Sequence, residues 1–149
     1  GNGETFHGEG ILAITKALLE NIDCIARIYA PAKAMSALNM AMRLNPRPPA
    51  SYLEILGEVY FVQSRFEDSA STFQQVLDIN PDYLRARLWN AAALVLAGSP
   101  ETAAWEIDEV LIASPDLTTT RLAYAFPFKN PRTEEMAMNA LRTAGLRNP

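Results

Sequence analysis

Glu54 and Glu58 are the two residues of this chain whose type and spacing best suit chemistry. They stand four residues apart in a helical pattern, and therefore on one face of the helix. Two carboxylates held close together in a buried setting could act as a general acid and a general base. Most pairs of this kind are a solvated acidic stripe on the outside of a helix, and this is the interpretation that we prefer.

Other reactive side chains are few. The only histidine, His7, lies in a glycine-rich leader, so it joins no Ser/His/Asp or Cys/His set. The only cysteine, Cys24, falls in an apolar helical pattern, where a free thiol is usually a small buried hydrophobe. Neither a G-x-G-x-x-G turn after a strand nor a GxxxxGK[ST] loop is present. We therefore predict no catalysis by this chain, no cofactor and no metal site.

Composition narrows the class of protein. A chain of 149 residues is the size of one domain, and a net charge of -4 provides no basic surface for nucleic acid. A single cysteine excludes an internal disulfide, and charged residues interrupt the N-terminal apolar stretch before it reaches membrane-spanning length. The first residues lack the basic and apolar regions of a signal peptide. We expect a cytoplasmic protein without membrane insertion, with a flexible leader at 1–9.

The helical patterns that position the two glutamates recur every 34 residues. Residues of like size or role stand at this spacing in the pairs Gly57 and Ala91, Tyr60 and Leu94, Ser69 and Ala103, Phe73 and Ile107, Val76 and Val110, and Pro81 and Pro115. Each proline ends one helical pattern and allows another to begin. Between them, the stretch Gly98 to Glu101 combines a helix stop, a serine N-cap and a proline at the first helical position. Each period is therefore predicted to form two short helices.

Gly57 falls in the middle of a predicted helix, where glycine costs about 1 kcal/mol relative to alanine. Close approach of a partner helix would compensate for this cost. The large side chains of Tyr60 and Phe73 would fill the space beside the contact.

The 34-residue pattern resembles the tetratricopeptide repeat. With Ala50 as position 1, the family's positions 4, 7, 8, 11, 20, 24, 27 and 32 hold Leu53, Leu56, Gly57, Tyr60, Ser69, Phe73, Val76 and Pro81, with Val76 bulkier than the family pattern. The resemblance implies an all-α fold, a right-handed α-α superhelix of about three repeats. We place the domain at 10–149, with repeats at about 15–48, 50–83 and 84–117 and a C-terminal cap at 118–146.

The third repeat departs from the pattern, because Arg87 and Asn90 occupy positions 4 and 7, where the helix interface should be apolar. The sequence therefore does not decide which side of the first helix of this repeat packs inward. The alternative to the family pattern is a rotation of the helix that buries Leu88, Ala92 and Val95. In the first repeat the matching residues are Leu18, Ile22, Ile25, Ala34, Leu38, Ala41 and Pro46.

The tail after Asp116 breaks the period, since Pro127 and Pro131 interrupt it. We predict a short helix from about Leu117 to Ala125 and a last helix opened by Asn130 and Pro131. A glycine C-cap at Gly145 would end the last helix. Met136, Leu141 and Ala144 would pack inward, so that the tail caps the solenoid.

The segment "YAFPFKNPRTEEMAMNALRTAGL" is also similar to the end of tetratricopeptide regions at the C-terminus of bacterial class III adenylate/guanylate cyclases and of winged-helix regulators. That resemblance implies a module of a larger bacterial signalling protein.

In tetratricopeptide repeats, positions 2, 5, 9 and 12 line the concave surface. The resemblance therefore assigns a partner-binding groove to Ser51, Glu54, Glu58, Phe61, Arg85, Leu88 and Ala92, with Trp89 beside it as a candidate aromatic anchor. The alternative for Trp89 is contact with the neighbouring repeat or the tail. The family's basic and asparagine clamp for a C-terminal carboxylate is disfavoured, because Leu19, Asp23 and the two glutamates occupy that face. A partner with basic and apolar residues fits better.

Two functions are consistent with these observations. The first is a non-catalytic module for protein–protein interaction or self-association, with a protein or peptide, or a second copy of the chain, as its partner. The second is a small-molecule sensing domain, with a ligand between Glu54, Phe61, Arg85 and Trp89.

Overall fold

The structure is a computed structural model that describes residues 31–123 and 131–148. Helices in these ranges are α1 (Pro31–Leu44), α2 (Ala50–Val62), α3 (Phe66–Ile79), α4 (Leu84–Leu96), α5 (Pro100–Ala113), α6 (Thr119–Ala123) and α7 (Pro131–Thr143). No strand occurs in the described residues beyond one isolated bridge between Thr118 and Arg147. The described chain is therefore all-α, as predicted. The predicted leader, His7, Cys24 and the first helix of the first repeat lie outside the described residues.

Helix boundaries follow the proline and glycine positions of the sequence. The helices α2 and α4 begin at Ala50 and Leu84, the first residues of the second and third predicted repeats. Gly98 has φ +93°, which only glycine adopts without strain, and Pro100 then opens α5. Ser99 holds the predicted N-cap position, but its side chain makes no capping hydrogen bond. Backbone geometry and Pro100 therefore define this start.

Helices adjacent in sequence pack against each other from α1 to α5, and α7 packs on α4. The larger core cluster joins apolar side chains of α2 to α5 with those of the tail, and a second cluster joins α1 to the other side of α2. The helix α2 contributes to both clusters because it is apolar on both sides. None of the helices in the described ranges has both the length and the apolar character needed to cross a membrane.

Gly57 is the point of closest approach between α2 and α3. A methyl group added there would lie 2.8 Å from two ring carbons of Phe73, closer than carbon atoms tolerate. The backbone carbonyl of Gly57 also accepts a buried hydrogen bond from the hydroxyl of Ser69, at 2.8 Å. The predicted close approach at Gly57 is confirmed, with Phe73 and Ser69 as the contacts.

We expect Gly57→Ala to destabilise the fold although alanine favours a helix. Helix propensity would add about 1 kcal/mol of stability, whereas crowding of a packed ring costs about 1–3 kcal/mol. Urea denaturation should show a net loss, and Gly57→Ala combined with Phe73→Leu should cost less than the sum of the two single losses, because the smaller side chain relieves the crowding. A Gly57→Ala variant more stable than the wild type would contradict the close contact.

The helix α4 is buried on nearly every side, because α3, α5 and α7 all pack against it. Leu88 and Ala92 are buried and Val95 is partly buried, but so are the polar residues at positions 4 and 7 of this repeat. Asn90 is buried, and Arg87 forms an ion pair with Glu106 of α5 at 2.8 Å. The sequence left open whether the side of α4 with Arg87 and Asn90 or the side with Leu88, Ala92 and Val95 packs inward. In the structure both sides pack inward.

The tail packs against α4 and, more lightly, against α5. Gly145 has φ +115° and ends α7, and Leu146 behind it is buried. Leu141 and Ala144 pack inward, but Met136 is only partly buried, and Met138 takes the buried place instead. The observed α6 is Thr119–Ala123, and residues 124–130 lie outside the described part.

The end of the described chain is held to the start of α6. The backbone amide of Thr119 donates to the carbonyl of Arg147 at 3.1 Å, and its hydroxyl contacts the Asn148 side chain at 3.1 Å. The guanidinium of Arg142 donates to the same Asn148 oxygen at 2.6 Å. These polar contacts close the cap across elements distant in sequence.

Candidate functional site

Glu54 and Glu58 are interior residues, and the prediction of a solvated acidic stripe is wrong. Glu58 is 2% exposed and Glu54 9%. Burying a carboxylate is costly unless a cation or hydrogen-bond donors compensate for the lost water. Both glutamates must therefore have partners from other helices.

The partners come from the start of α4 and the residue before it. The guanidinium of Arg85 contacts Glu54 Oε1 through Nε at 3.2 Å and Glu58 Oε1 through Nη2 at 3.2 Å. The hydroxyl of Tyr83 donates to Glu54 Oε2 at 2.7 Å. One guanidinium thus bridges two carboxylates and joins α2 to α4. We call Glu54, Glu58, Tyr83 and Arg85 the ion-pair cluster.

Interactions within the ion-pair cluster keep Arg85 charged and Tyr83 neutral. Burial acts to lower the pKa of Arg85, but the carboxylates of Glu58 and Glu54 outweigh it, and the pKa is raised. Burial and the hydrogen bond to Glu54 raise the pKa of Tyr83 to about 12. The phenol therefore stays a neutral donor and the guanidinium stays charged.

We expect an alkaline loss of stability that depends on Tyr83. Its folded pKa of about 12 lies above the ordinary value of 10.0, so the stabilisation is complete below pH 10 and is lost as pH rises toward 12. Chemical denaturation across this window should show a steeper fall for the wild type than for Tyr83→Phe. Below pH 10 the difference between the two proteins should be constant. Parallel curves throughout would contradict the hydrogen bond to Glu54.

The apolar wall predicted for the groove lies in the core. Phe61, Leu88, Trp89 and Ala92 are all buried. The ring of Trp89 meets that of Phe61 edge-on at 5.1 Å and stacks on that of Phe73 at 5.7 Å. For Trp89 the alternative of contact with the neighbouring repeat is therefore correct. These side chains hold repeats together, and a partner cannot reach them in this structure.

Two of the predicted groove residues remain accessible. Ser51 is exposed at the start of α2, and the Arg85 side chain is 37% exposed at the start of α4. We call the face formed by Ser51, Arg85 and the edge of Glu54 the α2–α4 face. It presents a guanidinium whose other side is held by buried carboxylates.

In this arrangement both glutamates are engaged in contacts within the protein. Glu54 offers both carboxylate oxygens to other groups, Oε1 to the Arg85 guanidinium and Oε2 to the Tyr83 hydroxyl, so neither oxygen is open to a substrate proton. The described residues also contain no group of three or more His, Cys, Asp or Glu side chains placed to hold a metal ion. Within the ion-pair cluster, two carboxylates face one guanidinium.

Sequence reasoning missed Tyr83 and Glu106 as polar partners. Tyr83 is 29 residues from Glu54, and Glu106 is 19 residues from Arg87, so helix spacing gives no signal for either contact. The one available hint was the placement of Arg85 and Arg87 on an otherwise apolar helix, because a cation there requires an acceptor.

Leu19 and Asp23, which occupy the predicted concave face in the first repeat, lie outside the described residues. Comparison of the chain with protein-family models finds no match, and comparison with curated protein sequences finds no significant similarity.

Proposed function

We propose that this chain is a non-catalytic interaction module of the tetratricopeptide type, a right-handed solenoid that binds a protein or peptide or a second copy of itself. The observation that carries the proposal is the ion-pair cluster. It commits both candidate catalytic carboxylates to joining α2 and α4, while it leaves the Arg85 side chain partly open at the surface. The similarity of the tail to cyclase-linked and regulator-linked repeats suggests attachment to a signalling effector.

Charge on the α2–α4 face favours a particular partner. The cluster holds two carboxylates and one guanidinium, and this balance supports a segment with Lys or Arg over an acidic one. The exposed guanidinium supplies donors for a backbone carbonyl or a side-chain amide of the same segment. A peptide with basic and apolar residues fits both features.

A pair of serine variants tests the proposed face. Ser51 and Ser71 are both exposed, but Ser51 lies on the α2–α4 face and Ser71 on the outer side of α3. Ser51→Arg should abolish self-association in light scattering, or lower the stabilisation by basic peptides in thermal shift, because the added arginine blocks the face and repels the basic residues of the partner. Ser71→Arg should leave both unchanged.

The same measurements separate the alternatives. Stabilisation by a metabolite, with no response to any peptide and no self-association, would replace the proposal with the sensing function. Packing of Phe61 on Trp89 disfavours that outcome, because the two rings occupy the space in which the ligand was predicted. Turnover of a substrate by the isolated chain would contradict the proposal directly.

A further inference from the structure

The outer face of α5 carries two large apolar side chains in contact with solvent. Trp105 is 57% exposed and Ile112 is 76% exposed. Seven residues separate them, which places both on one face of the helix about 10 Å apart along its axis. The helix packs through its other side on α4 and, more lightly, on α7.

The repeat itself provides a control for this face. One period of 34 residues earlier, the positions of Trp105 and Ile112 hold Ser71 and Asp78 of α3, which are exposed and polar. Inward positions, in contrast, keep their apolar character, as in the buried Phe73 and its counterpart Ile107. The fold therefore does not require apolar residues on the outer face of α5.

Acidic residues surround the two apolar side chains. Glu101 and Asp108 are exposed, and with Trp105 and Ile112 they fall within an arc of about 60° on the helix. Glu109 beside them is partly exposed, and α5 contains no lysine or arginine. The face thus combines an aromatic anchor, a second apolar contact and uncompensated negative charge.

These charges argue against a second copy as the occupant. Two copies could pair their α5 helices antiparallel, with Trp105 of each copy against Ile112 of the other. In that register Asp108 of each copy would lie opposite Glu109 of the other, so the pairing would contain two contacts between like charges. Like charges placed directly opposite each other oppose association. Anionic membrane surfaces are disfavoured for the same reason.

We propose that Trp105, Asp108 and Ile112 form a docking surface for a basic amphipathic helix of a partner protein. Apolar residues of that helix would cover Trp105 and Ile112, and its Lys or Arg residues would meet Glu101 and Asp108. The surface is separate from the α2–α4 face and does not rest on it.

A model peptide tests the surface with the intact chain. The probe is a helical peptide with leucines at i, i+3, i+4 and i+7 and lysines elsewhere, and the control peptide has glutamates in place of the lysines. The chain contains two tryptophans, and because Trp89 is already buried, a blue shift of the emission on binding reports on Trp105. We expect binding and a blue shift with the lysine peptide alone, weakened by salt.

The decisive variants copy α3 into α5. Trp105→Ser combined with Ile112→Asp reproduces the residues of Ser71 and Asp78, which the same face of α3 tolerates, and should weaken peptide binding by about tenfold or more. Asp108→Lys, an exposed change that leaves the core intact, should also weaken it. Ile79→Ser, which removes an exposed apolar side chain from α3, should leave the affinity unchanged.

Several results would overturn the inference. Equal affinity for the lysine and glutamate peptides, or wild-type affinity in the α5 variants, would remove the docking surface. A dimer in light scattering that the double variant abolishes would make the occupant a second copy. Loss of peptide binding in Ser51→Arg but not in the α5 variants would place the peptide on the α2–α4 face, which supports the proposed function and refutes this inference.

Discussion

Replacing Phe73 with alanine is expected to lower the free energy of unfolding by about 3–5 kcal/mol, the cost of truncating a fully buried aromatic side chain. The ring has no exposed surface, fills the space beside Gly57 and stacks on Trp89 with an angle of 13° between the ring planes. Its removal would leave a cavity between α2, α3 and α4. Chemical denaturation followed by circular dichroism measures the loss.

Two control variants test whether the loss of stability in Phe73→Ala comes from the central, fully buried position of this ring. Phe73→Leu keeps most of the apolar volume and should cost less than half as much. Phe66→Ala removes another aromatic ring from α3, one that is only partly buried and meets Phe61 edge-on at 5.3 Å, and should also cost less. If Phe73→Ala cost no more than Phe66→Ala, the central position of Phe73 would be wrong.

Replacing Arg87 with methionine is expected to cost about 3 kcal/mol, at the lower end of the range for breaking a buried ion pair, since the arginine keeps slight exposure. Its guanidinium contacts Glu106 at 2.8 Å and donates to the carbonyl of Pro81 at 2.9 Å. Methionine keeps an unbranched apolar side chain, shorter than that of arginine, and removes the charge. The carboxylate of Glu106 would then be buried opposite an apolar group.

An exposed ion pair and a double variant serve as controls for Arg87. Arg65 pairs with Asp68 at 2.8 Å with both side chains about half exposed, so Arg65→Met should cost at most about 1 kcal/mol. Arg87→Met combined with Glu106→Met should recover most of the stability, because no charge is left buried. An equal loss in the single and double variants would show that packing, not charge, explains the effect.

The helix starts at Ala50, Leu84 and Pro100 and the contact at Gly57 could be predicted from the sequence because their causes are local. Proline, glycine and serine at Gly98 to Pro100 determine where helices stop and start through backbone geometry alone. The spacing of 34 residues between Gly57 and Ala91, with Phe73 following, predicted a small residue opposite a large one. The helix bounds and the position of Phe73 confirm both.

The candidate site could be predicted only in part. The four-residue spacing of Glu54 and Glu58 indicated that they share a helix face, but not which surroundings that face has. Their burial depends on Arg85 and Tyr83, which the chain brings back 27 to 29 residues later. Family positions placed Phe61 on a groove wall with Trp89 beside it, whereas packing of α7 on α4 and of the aromatic rings on one another puts both in the core.

The sequence by itself determined that the described part of the chain is helical, where the helices that begin at Ala50, Leu84 and Pro100 start, and which small residue meets which large one. Those properties follow from backbone preferences and from a period visible in the sequence. Only the tertiary structure decided that the two glutamates are structural, that Arg87 completes an interface, and that Trp105, not Trp89, is the tryptophan in contact with solvent. The physical reason is that burial and ion pairing belong to helices in contact, and no spacing along one helix specifies its neighbours.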